Sequence, residues 1–431
     1  MWWRRRQSTE NLSNAQRHDP FAALRFRDYR LFAIARMFSL MGYQMQGVAI
    51  GWELYERTGS ALVLGVVGLV QVLPIIALTL PAGHVADHFD RKRTVVLTSM
   101  MLALCSVGLA ILSYTQGSLL LIYTCLLLSG VARAFNKPSS DALLPQLVPL
   151  DIFGNAATWN SSGFQLASVL GPALGGLVIA VQKSAIGAYV LAAILGFACS
   201  ILIAMIAGRQ SVRTIEAPSL KSLAAGFKFV WYNQVIFAAI TLDLFAVLLG
   251  GAITLLPIFA KDILDVGPTG LGWLRAAPSL GALVMAFTLA SLPPLQRAGR
   301  TLLVAVAGFG VVTIIFGLSQ SFWLSLLMLT LSGAFDNISA VIRNTLVQVR
   351  TPDHLRGRVS AINSVFISSS NELGGFESGF VAALFGPVAS VVSGGIGTIA
   401  VVMAVAIIWP QLRDLGSLLP STIPTTEQPQ S

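Results

Sequence analysis

The sequence predicts an all-α polytopic membrane protein with twelve transmembrane helices in two pseudo-symmetric six-helix bundles and with cytoplasmic N- and C-termini. Three observations support this prediction. Only 11% of the 431 residues are charged and 55% are apolar, whereas about a quarter of the residues of a soluble domain are charged. The apolar residues form long runs separated by basic connections. In addition, the second half of the chain repeats features of the first half.

Each transmembrane helix needs about 20 predominantly apolar residues to cross the hydrocarbon core of a bilayer. Runs of about this length occur about twelve times along the chain. We predict spans at 30–54, 61–82, 94–114, 118–138, 155–181, 185–207, 234–260, 269–292, 301–318, 322–342, 359–385 and 389–409.

Basic residues are distributed unevenly between the connections. The chain contains 28 Lys and Arg and has a formal net charge of +9. With a cytoplasmic N-terminus, Arg57, Lys183 and Lys261 lie outside and Arg36 and Arg275 fall inside helices, which leaves 23 on the cytoplasmic side. Cytoplasmic connections are enriched in Lys and Arg. Membrane topology therefore accounts for the excess of positive charge, and we predict no nucleic-acid partner.

The longest basic connection separates the spans into six and six. It divides the chain into a cytoplasmic N-terminal segment (1–29), an N-terminal bundle (30–207), a cytoplasmic central loop (208–233), a C-terminal bundle (234–409) and a disordered cytoplasmic tail (410–431). Residues 154–176 and 357–379 align at an offset of 203, so that Gly154 meets Gly357 and Asn160 meets Asn363. Two related bundles with a site between them are typical of secondary transporters.

Charge is concentrated in the connection after the second span, GHVADHFDRKR at 83–93. This stretch resembles the G-x-x-x-D-R-x-G-R-R/K signature of the major facilitator superfamily. GPALGG at 171–176 resembles the fifth-helix motif of exporters in that superfamily. NKPSSDALLPQLVP and SNELGGFESG resemble its bacterial efflux branch, which includes enterobactin and macrolide exporters. The resemblance covers the whole chain and implies a monomer in the bacterial inner (plasma) membrane.

The resemblance implies a conformational latch formed by Gly83, Asp87, Arg91 and Arg93. Gly83 would let the second helix approach its neighbour closely. Asp87 would face the N-terminus of the eleventh helix, where a carboxylate interacts favourably with the helix dipole. The two arginines would pair across the same seam when the cytoplasmic side is closed. Alternatively, the basic residues only follow the positive-inside rule.

The fifth-helix motif implies a gating helix. Gly171, Pro172, Gly175 and Gly176 would bend it and allow it to pack closely against a neighbour. The alternative is a packing surface with a proline kink. The sequence also departs from the efflux pattern, because Leu126 stands four residues before Gly130, where many proton-driven exporters carry Arg.

Ionisable residues inside membrane spans are costly and are candidates for function. Asp243 lies roughly 14 Å into the seventh helix and Glu372 roughly 20 Å into the eleventh, at about 1.5 Å per residue. Burial favours the protonated form of a carboxyl group, so both are candidates for proton coupling. The alternative is that each is permanently ion-paired and fixes helix register. Arg275 and Glu377 lie at similar depths and form a candidate ion pair.

These features favour a secondary active transporter that exports a small amphipathic molecule, such as a siderophore, a macrolide or a drug-like compound, in exchange for protons. A facilitator or uptake carrier for a nutrient or lysolipid is the alternative, and a non-transporting membrane sensor is disfavoured. We predict no enzyme, because no nucleophile with a base, metal cluster or phosphate loop is recognisable. Accordingly, no cofactor or metal is predicted. The predicted partners are the small-molecule substrate, protons and the lipid bilayer.

Overall fold

The structure is a computed structural model that describes residues 19–207, 227–293 and 296–416. Within these ranges all regular secondary structure is helical. Most of the predicted N-terminal segment (1–18), most of the central loop (208–226) and most of the tail (417–431) lie outside the described residues.

Twelve long helices account for most of the described residues. They are α1 (Arg27–Thr58), α2 (Ala61–His88), α3 (Arg91–Tyr114), α4 (Leu119–Leu143), α5 (Phe153–Gln182), α6 (Ile186–Ala204), α7 (Gln234–Leu249), α8 (Gly267–Ser291), α9 (Ala298–Leu318), α10 (Phe322–Arg350), α11 (Asp353–Phe385) and α12 (Pro387–Ile408). In the part of the chain that the structure describes, ten helices are long and apolar enough to cross a membrane. The other two long helices, α1 and α11, carry polar residues through their middle, including Gln44 and Glu372.

The helices form two groups. Helices α1–α6 pack mainly against one another, and so do α7–α12. Two extensive contacts join the groups, α5 with α8 and α2 with α11. A shift of six helices converts each of these contacts into the other, so the interface has the pseudo-two-fold arrangement expected from the sequence repeat.

Local sequence determines where several helices begin and end. Helix α1 ends at Thr58, and the following residue, Gly59, adopts a left-handed conformation with φ of 58°, as is common after the last helical residue. The carboxylate of Asp90 accepts a hydrogen bond from the backbone N–H of Arg93 and caps α3. Ser118 and Asn233 cap α4 and α7 in the same way, which satisfies N–H groups that have no partner within the helix.

Helix α2 is longer than the predicted span. It continues to His88, so Gly83 and Asp87 lie in its last two turns rather than in a loop, and Arg91 already belongs to α3. Only Phe89 and Asp90 connect the two helices. Apolar length predicts the part of a helix that lies in hydrocarbon, but backbone hydrogen bonding continues beyond it while no residue breaks the helix.

Helix α7 is interrupted, although the sequence predicts one span over 234–260. It ends at Leu249, and the chain continues through a 3₁₀ turn (Ala252–Leu255) and a π-helical turn (Phe259–Ile263). The interruption falls at Gly250 and Gly251. A side-chain carbon on Gly251 would lie 2.7 Å from the carbonyl oxygen of Gly374 in α11, so the break allows the two backbones to approach closely.

The two ends of the molecule differ in charge. We call the end that carries the α2–α3, α4–α5 and α10–α11 connections, with Arg91, Arg93 and Arg350, the basic end. The opposite end, with the α1–α2, α5–α6 and π-helical α7–α8 connections, is called the distal end. Arg57, in the last turn of α1, lies at the distal end.

Candidate functional site

Arg133 is the centre of a polar cluster between the two helix groups. It extends from α4, and its Nη1 donates hydrogen bonds to Tyr43 Oη at 2.7 Å and to Gln71 Oε1 at 3.0 Å. Its guanidinium carbon lies 4.0 Å from the centre of the Tyr43 ring, within the range of a cation–π interaction. Helices α1, α2 and α4 therefore hold one cation in a defined orientation.

Glu372 brings a carboxylate from the other group to this cation. Its Oε1 lies 4.0 Å from Arg133 Nη1, and the two side chains are 24% and 28% exposed. The separation is longer than a hydrogen bond, so the charges attract each other without a direct bond. The close approach depends on Gly68, because a side-chain carbon there would lie 2.6 Å from the carbonyl oxygen of Glu372.

Arg275 crosses the interface at a neighbouring position. Its Nη1 donates a hydrogen bond to the carbonyl oxygen of Gly47 in α1 at 2.9 Å. A side-chain carbon on Gly47 would lie 2.8 Å from Arg275 Nη2, so glycine makes the space for the guanidinium. Glu377 instead accepts a hydrogen bond from Ser378 Oγ at 3.4 Å. The predicted Arg275–Glu377 pair is thus not formed in this conformation, since Arg275 is held against α1.

Asp243 has a different environment from Glu372. Its carboxylate forms an ion pair with the guanidinium of Arg343 in α10. Asp243 is 6% exposed and Arg343 is 4% exposed. A buried carboxylate with a dedicated cation is stabilised in its charged form. This geometry favours the alternative role for Asp243, in which a permanent ion pair fixes the register of α7 and α10.

The sequence analysis counted Arg133 and Arg343 among the cytoplasmic basic residues, although Arg133 lies within the predicted fourth span, and it missed their contacts. Arg343 lay just beyond the predicted tenth span, whereas α10 continues to Arg350. Helical periodicity contained a signal for Arg133. It follows Leu126 by seven residues, which is two helical turns and returns to the same face. The cation expected at Leu126 is therefore present two turns nearer the basic end.

The predicted gating motif contacts both helix groups. A side-chain carbon on Gly171 would lie 2.6 Å from Gln44 Cβ in α1, and one on Gly175 would lie 3.1 Å from Met45 Cα. Gly176 faces the other group, where the added carbon would lie 2.3 Å from the carbonyl oxygen of Pro268. Pro172 presents its carbonyl oxygen to Gly272 of α8. The motif thus joins α1, α5 and α8 through backbone contacts.

The predicted latch residues make contacts within the first helix group. Arg91 donates hydrogen bonds to the carbonyl oxygens of Ala86 at 2.9 Å and Ala142 at 3.2 Å. Arg93 pairs with Asp90 at 3.2 Å, and its side chain is 84% exposed. Among the described residues, Asp87 has no hydrogen bond or ion pair. Contacts of the latch with the second group stay a prediction for another conformation.

A contact at the distal end also joins the two groups. Tyr55 near the end of α1 donates a hydrogen bond to the carboxylate of Asp262 in the π-helical turn. The ammonium of Lys261 lies 5.8 Å from the centre of the Tyr55 ring. This contact and the packing of Gly65 against Gly379, where an added carbon would lie 3.1 Å from Gly379 Cα, hold the distal halves of the groups together.

Two groups of helices joined by glycine-rich contacts, with opposite charges facing each other between them, define a membrane transporter of the major facilitator type. The chain belongs to the transmembrane secretion effector family, whose model matches residues 18–424. It is a multi-pass bacterial inner-membrane protein and not an enzyme. 

Two curated relatives are exporters. The chain is 27% identical to the multidrug efflux pump Tap of Mycolicibacterium fortuitum over 85% of this chain and 92% of Tap. It is 26% identical to the enterobactin exporter EntS of Escherichia coli O1:K1 / APEC over 94% of this chain and 95% of EntS.

Solved transporter structures share the fold. A bacterial homologue of the human lysosomal transporter Spinster, in an inward-facing and occupied conformation, has a TM-score of 0.69 and 14% identity, covering 90% of this chain and 98% of that chain. A POT family transporter in complex with 5-aminolevulinic acid has a TM-score of 0.72 and 11% identity, covering 90% of this chain and 96% of that chain.

Proposed function

We propose that the protein exports small amphipathic molecules in exchange for protons. In this proposal all twelve long helices cross the membrane, the basic end is cytoplasmic, and a monomer works by alternating access. The observation that carries the proposal is the approach of Glu372 to Arg133 across the interface, with 4.0 Å between Oε1 and Nη1. The exporter relatives Tap and EntS support the direction of transport.

The described conformation corresponds to a state closed at the distal end. The contacts Tyr55–Asp262, Gly65–Gly379 and Gly176–Gly272 all lie in the distal half. Towards the basic end, an added side-chain carbon on Gly163 or Gly357 would have no neighbouring atom within 4 Å. We infer that in this state the basic end is open to substrate, and that the latch at Asp87, Arg91 and Arg93 closes it in the opposite state.

Glu372 is the candidate that best fits proton coupling. It is partly exposed, and no direct hydrogen bond to Arg133 holds it in the charged form. Protonation would remove its attraction to Arg133 and so weaken one contact between the bundles. A proton could then change the relative stability of the two states, as exchange requires. Asp243, in contrast, keeps its own cation in Arg343.

Inside-out membrane vesicles with an acidic interior test this proposal. We would add catecholate siderophores, macrolides, dyes and lysolipids, and compare wild type with Glu372→Gln, Asp243→Asn and the exposed loop variant Asp151→Asn. We expect at least one compound to collapse the pH gradient in wild type and Asp151→Asn but not in Glu372→Gln. Asp243→Asn should retain coupling per folded molecule.

Movement of a labelled compound without proton movement would instead identify a facilitator. If Glu372→Gln collapses the gradient as well as wild type does, Glu372 is not the coupling residue.

A further inference from the structure

Two histidines stand together on the last turns of α2. His84 and His88 are both exposed, and their imidazole rings are stacked, with centroids 4.1 Å apart and planes at 26° to each other. They are four residues apart in a helix that continues to His88, and residues at this spacing are neighbours on one helix face. The extension of α2 beyond its apolar run therefore creates a pair that a loop at 83–93 would not hold.

A hydrogen bond selects the tautomer of one of the two rings. Nδ1 of His88 lies 3.1 Å from the carbonyl oxygen of His84. A carbonyl oxygen can only accept, so Nδ1 of the neutral ring donates and Nε2 keeps its lone pair. Histidines that bind metal ions almost always donate their second ring N–H to a carbonyl, a carboxylate or water in this way. His88 thus has the tautomer and the fixed orientation of a metal ligand.

The charged residues near the pair do not exclude a cation. Arg91 and Lys92 donate hydrogen bonds to backbone carbonyl oxygens, and Arg93 pairs with Asp90. Asp87, which lies between the two histidines in sequence, has no hydrogen bond or ion pair among the residues that the structure describes. Its carboxylate adds a negative charge beside the imidazoles, which favours binding of a cation.

We propose that His84 and His88 bind a divalent transition-metal ion, and that the bound ion opposes closure of the basic end. Imidazole nitrogen suits Cu²⁺, Ni²⁺ and Zn²⁺, whereas Mg²⁺ prefers oxygen ligands. Within the described part of the chain, no three His, Cys, Asp or Glu side chains are grouped to hold an ion, so water completes the coordination. Structural zinc sites use four protein ligands, and a site with two is suited to reversible binding.

The effect of the ion on the transport cycle follows from the position of Asp87. This residue follows His84 by three positions on α2, so the two side chains are neighbours. In the proposed latch its carboxylate approaches the N-terminal end of α11, where a negative charge is stabilised by the helix dipole. A divalent cation beside Asp87 offsets that charge, so the basic end stays open and the cycle slows. This consequence rests on the proposed transport cycle, whereas the site itself does not.

Metal binding to the purified full-length protein in detergent tests the site. The protein would carry a histidine-free affinity tag, because the chain has only four histidines of its own. Titration calorimetry would give the dissociation constant of Ni²⁺, with Mg²⁺ as the control cation. Electron spin echo envelope modulation of bound Cu²⁺ would show whether one or two imidazoles are ligands. The variants are His84→Ala and His88→Ala, with His18→Ala and His354→Ala as controls.

A further variant tests the spacing of the pair. His88→Ala combined with Phe89→His keeps four histidines, and Phe89 is exposed just beyond the end of α2. Histidines at 84 and 89 are five positions apart and are no longer neighbours on a helix face. Size-exclusion chromatography would verify that each variant is folded.

We expect wild type to bind one Ni²⁺ at least tenfold more tightly than Mg²⁺ and to bind Cu²⁺ through two imidazoles. His84→Ala, His88→Ala and the spacing variant should each weaken Ni²⁺ binding at least tenfold and lose one imidazole from Cu²⁺. His18→Ala and His354→Ala should keep the affinity of wild type within about twofold, because metal affinity here depends on the pair on α2.

Inside-out vesicles test the effect on transport. The basic end would face the medium, so Ni²⁺ added there reaches the site directly. We expect Ni²⁺ to slow substrate-driven collapse of the pH gradient at least threefold in wild type and in His354→Ala. In His84→Ala the rates with and without Ni²⁺ should be equal.

The inference is overturned if Ni²⁺ binds no more tightly than Mg²⁺, or if the single variants or the spacing variant keep the affinity of wild type. It is also overturned if Ni²⁺ slows transport by His84→Ala as much as transport by wild type. Failure of the exporter proposal is a separate result, in which no compound collapses the gradient in metal-free wild type. Metal binding needs no substrate, so the calorimetry and the Cu²⁺ spectra decide the site in either case.

Discussion

At the scale of residues, the arrangement around Arg133 indicates how one cation can serve two purposes. Its hydrogen bonds to Tyr43 and Gln71 connect helices of one bundle. Its longer-range attraction to Glu372 connects that bundle to the other. On the proposed mechanism, a change at Arg133 therefore affects both the local packing and the balance between conformations.

We predict that Arg133→Gln reduces substrate-driven proton movement at least tenfold, because Glu372 then faces the interface without a cation. Arg133→Lys should retain part of the activity, since it keeps the charge but loses the planar group that stacks on Tyr43. Both variants would be measured in the inside-out vesicles, normalised to the amount of folded protein. Activity of Arg133→Gln equal to that of wild type would contradict a role for this charge.

We predict that Asp243→Asn lowers the thermal stability of the purified protein. Removing one partner of a buried pair costs about 3–5 kcal/mol, whereas replacing both with apolar residues is often neutral. Asp243→Leu combined with Arg343→Met should therefore recover most of the loss. The check is the midpoint of thermal unfolding in detergent for the single and double variants, and equal destabilisation by both would show that the charges themselves are needed.

The sequence alone identified the carboxylates but not their partners. Asp243, Glu372 and Glu377 stand out because charges are rare in apolar runs. Their pairing with Arg343, Arg133 and Ser378 depends on helix rotation and on contacts more than 200 residues apart for Arg133 and Glu372. A single sequence shows helical periodicity, but it does not show which helix faces contact each other.

At the scale of elements, helices α5 and α8 meet through backbone atoms. Gly176 lies against Pro268 and Gly272, and Gly272 lies against the carbonyl oxygen of Pro172. Small residues permit such approach, and in a bilayer close packing is a principal source of helix association. The close contact of α5 with α8 at the distal end therefore depends on glycine at positions 176 and 272, where a side chain would collide with the backbone of the facing helix.

We predict that Gly176→Ala opens the distal end, because the added carbon would lie 2.3 Å from Pro268 O. Gly163→Ala on the same helix is the matched control, since an added carbon there meets no atom within 4 Å. Spin labels at Gln116→Cys and Gln320→Cys, both exposed at the distal end, would report the separation of the bundles by electron–electron resonance. A distance distribution of Gly176→Ala that matches the control would contradict the prediction.

The positions of the elements were predicted better than their ends. Each of the twelve predicted spans overlaps a long helix, because apolar length determines where a chain can enter hydrocarbon. The extension of α2 to His88 and the interruption of α7 after Leu249 were not predicted. The first depends on backbone bonding outside the apolar run, and the second on the close approach of Gly251 to Gly374.

At the scale of the whole molecule, the basic and distal ends define an expected orientation. Arg93 is exposed at the basic end and Gln116 at the distal end. We predict that Gln116→Cys reacts with a membrane-impermeant maleimide in intact cells, whereas Arg93→Cys reacts only after permeabilisation. Cys105, Cys125 and Cys199 would first be replaced by Ser or Ala. The reverse labelling pattern would place the basic end outside.

The two-bundle organisation was predictable because the repeat at an offset of 203 residues is visible in the sequence. The conformation was not predictable. The proposed alternating access requires two states to be compatible with one sequence, and on this proposal their energies differ through a few contacts such as Tyr55–Asp262 and Gly176–Gly272. Composition and motifs are the same in both states.

The glycine contacts between the bundles have an evolutionary consequence. Gly65, Gly176 and Gly272 provide the surfaces on which the bundles meet, whereas Arg133 and Glu372 face each other between the bundles with partly exposed side chains. Different positions thus serve mobility and recognition. If the proposed transport cycle is correct, substitutions near Arg133 and Glu372 can change the cargo without altering the surfaces on which the bundles meet, so selection for a new cargo should yield changes near α4 and α11 and leave the glycines intact.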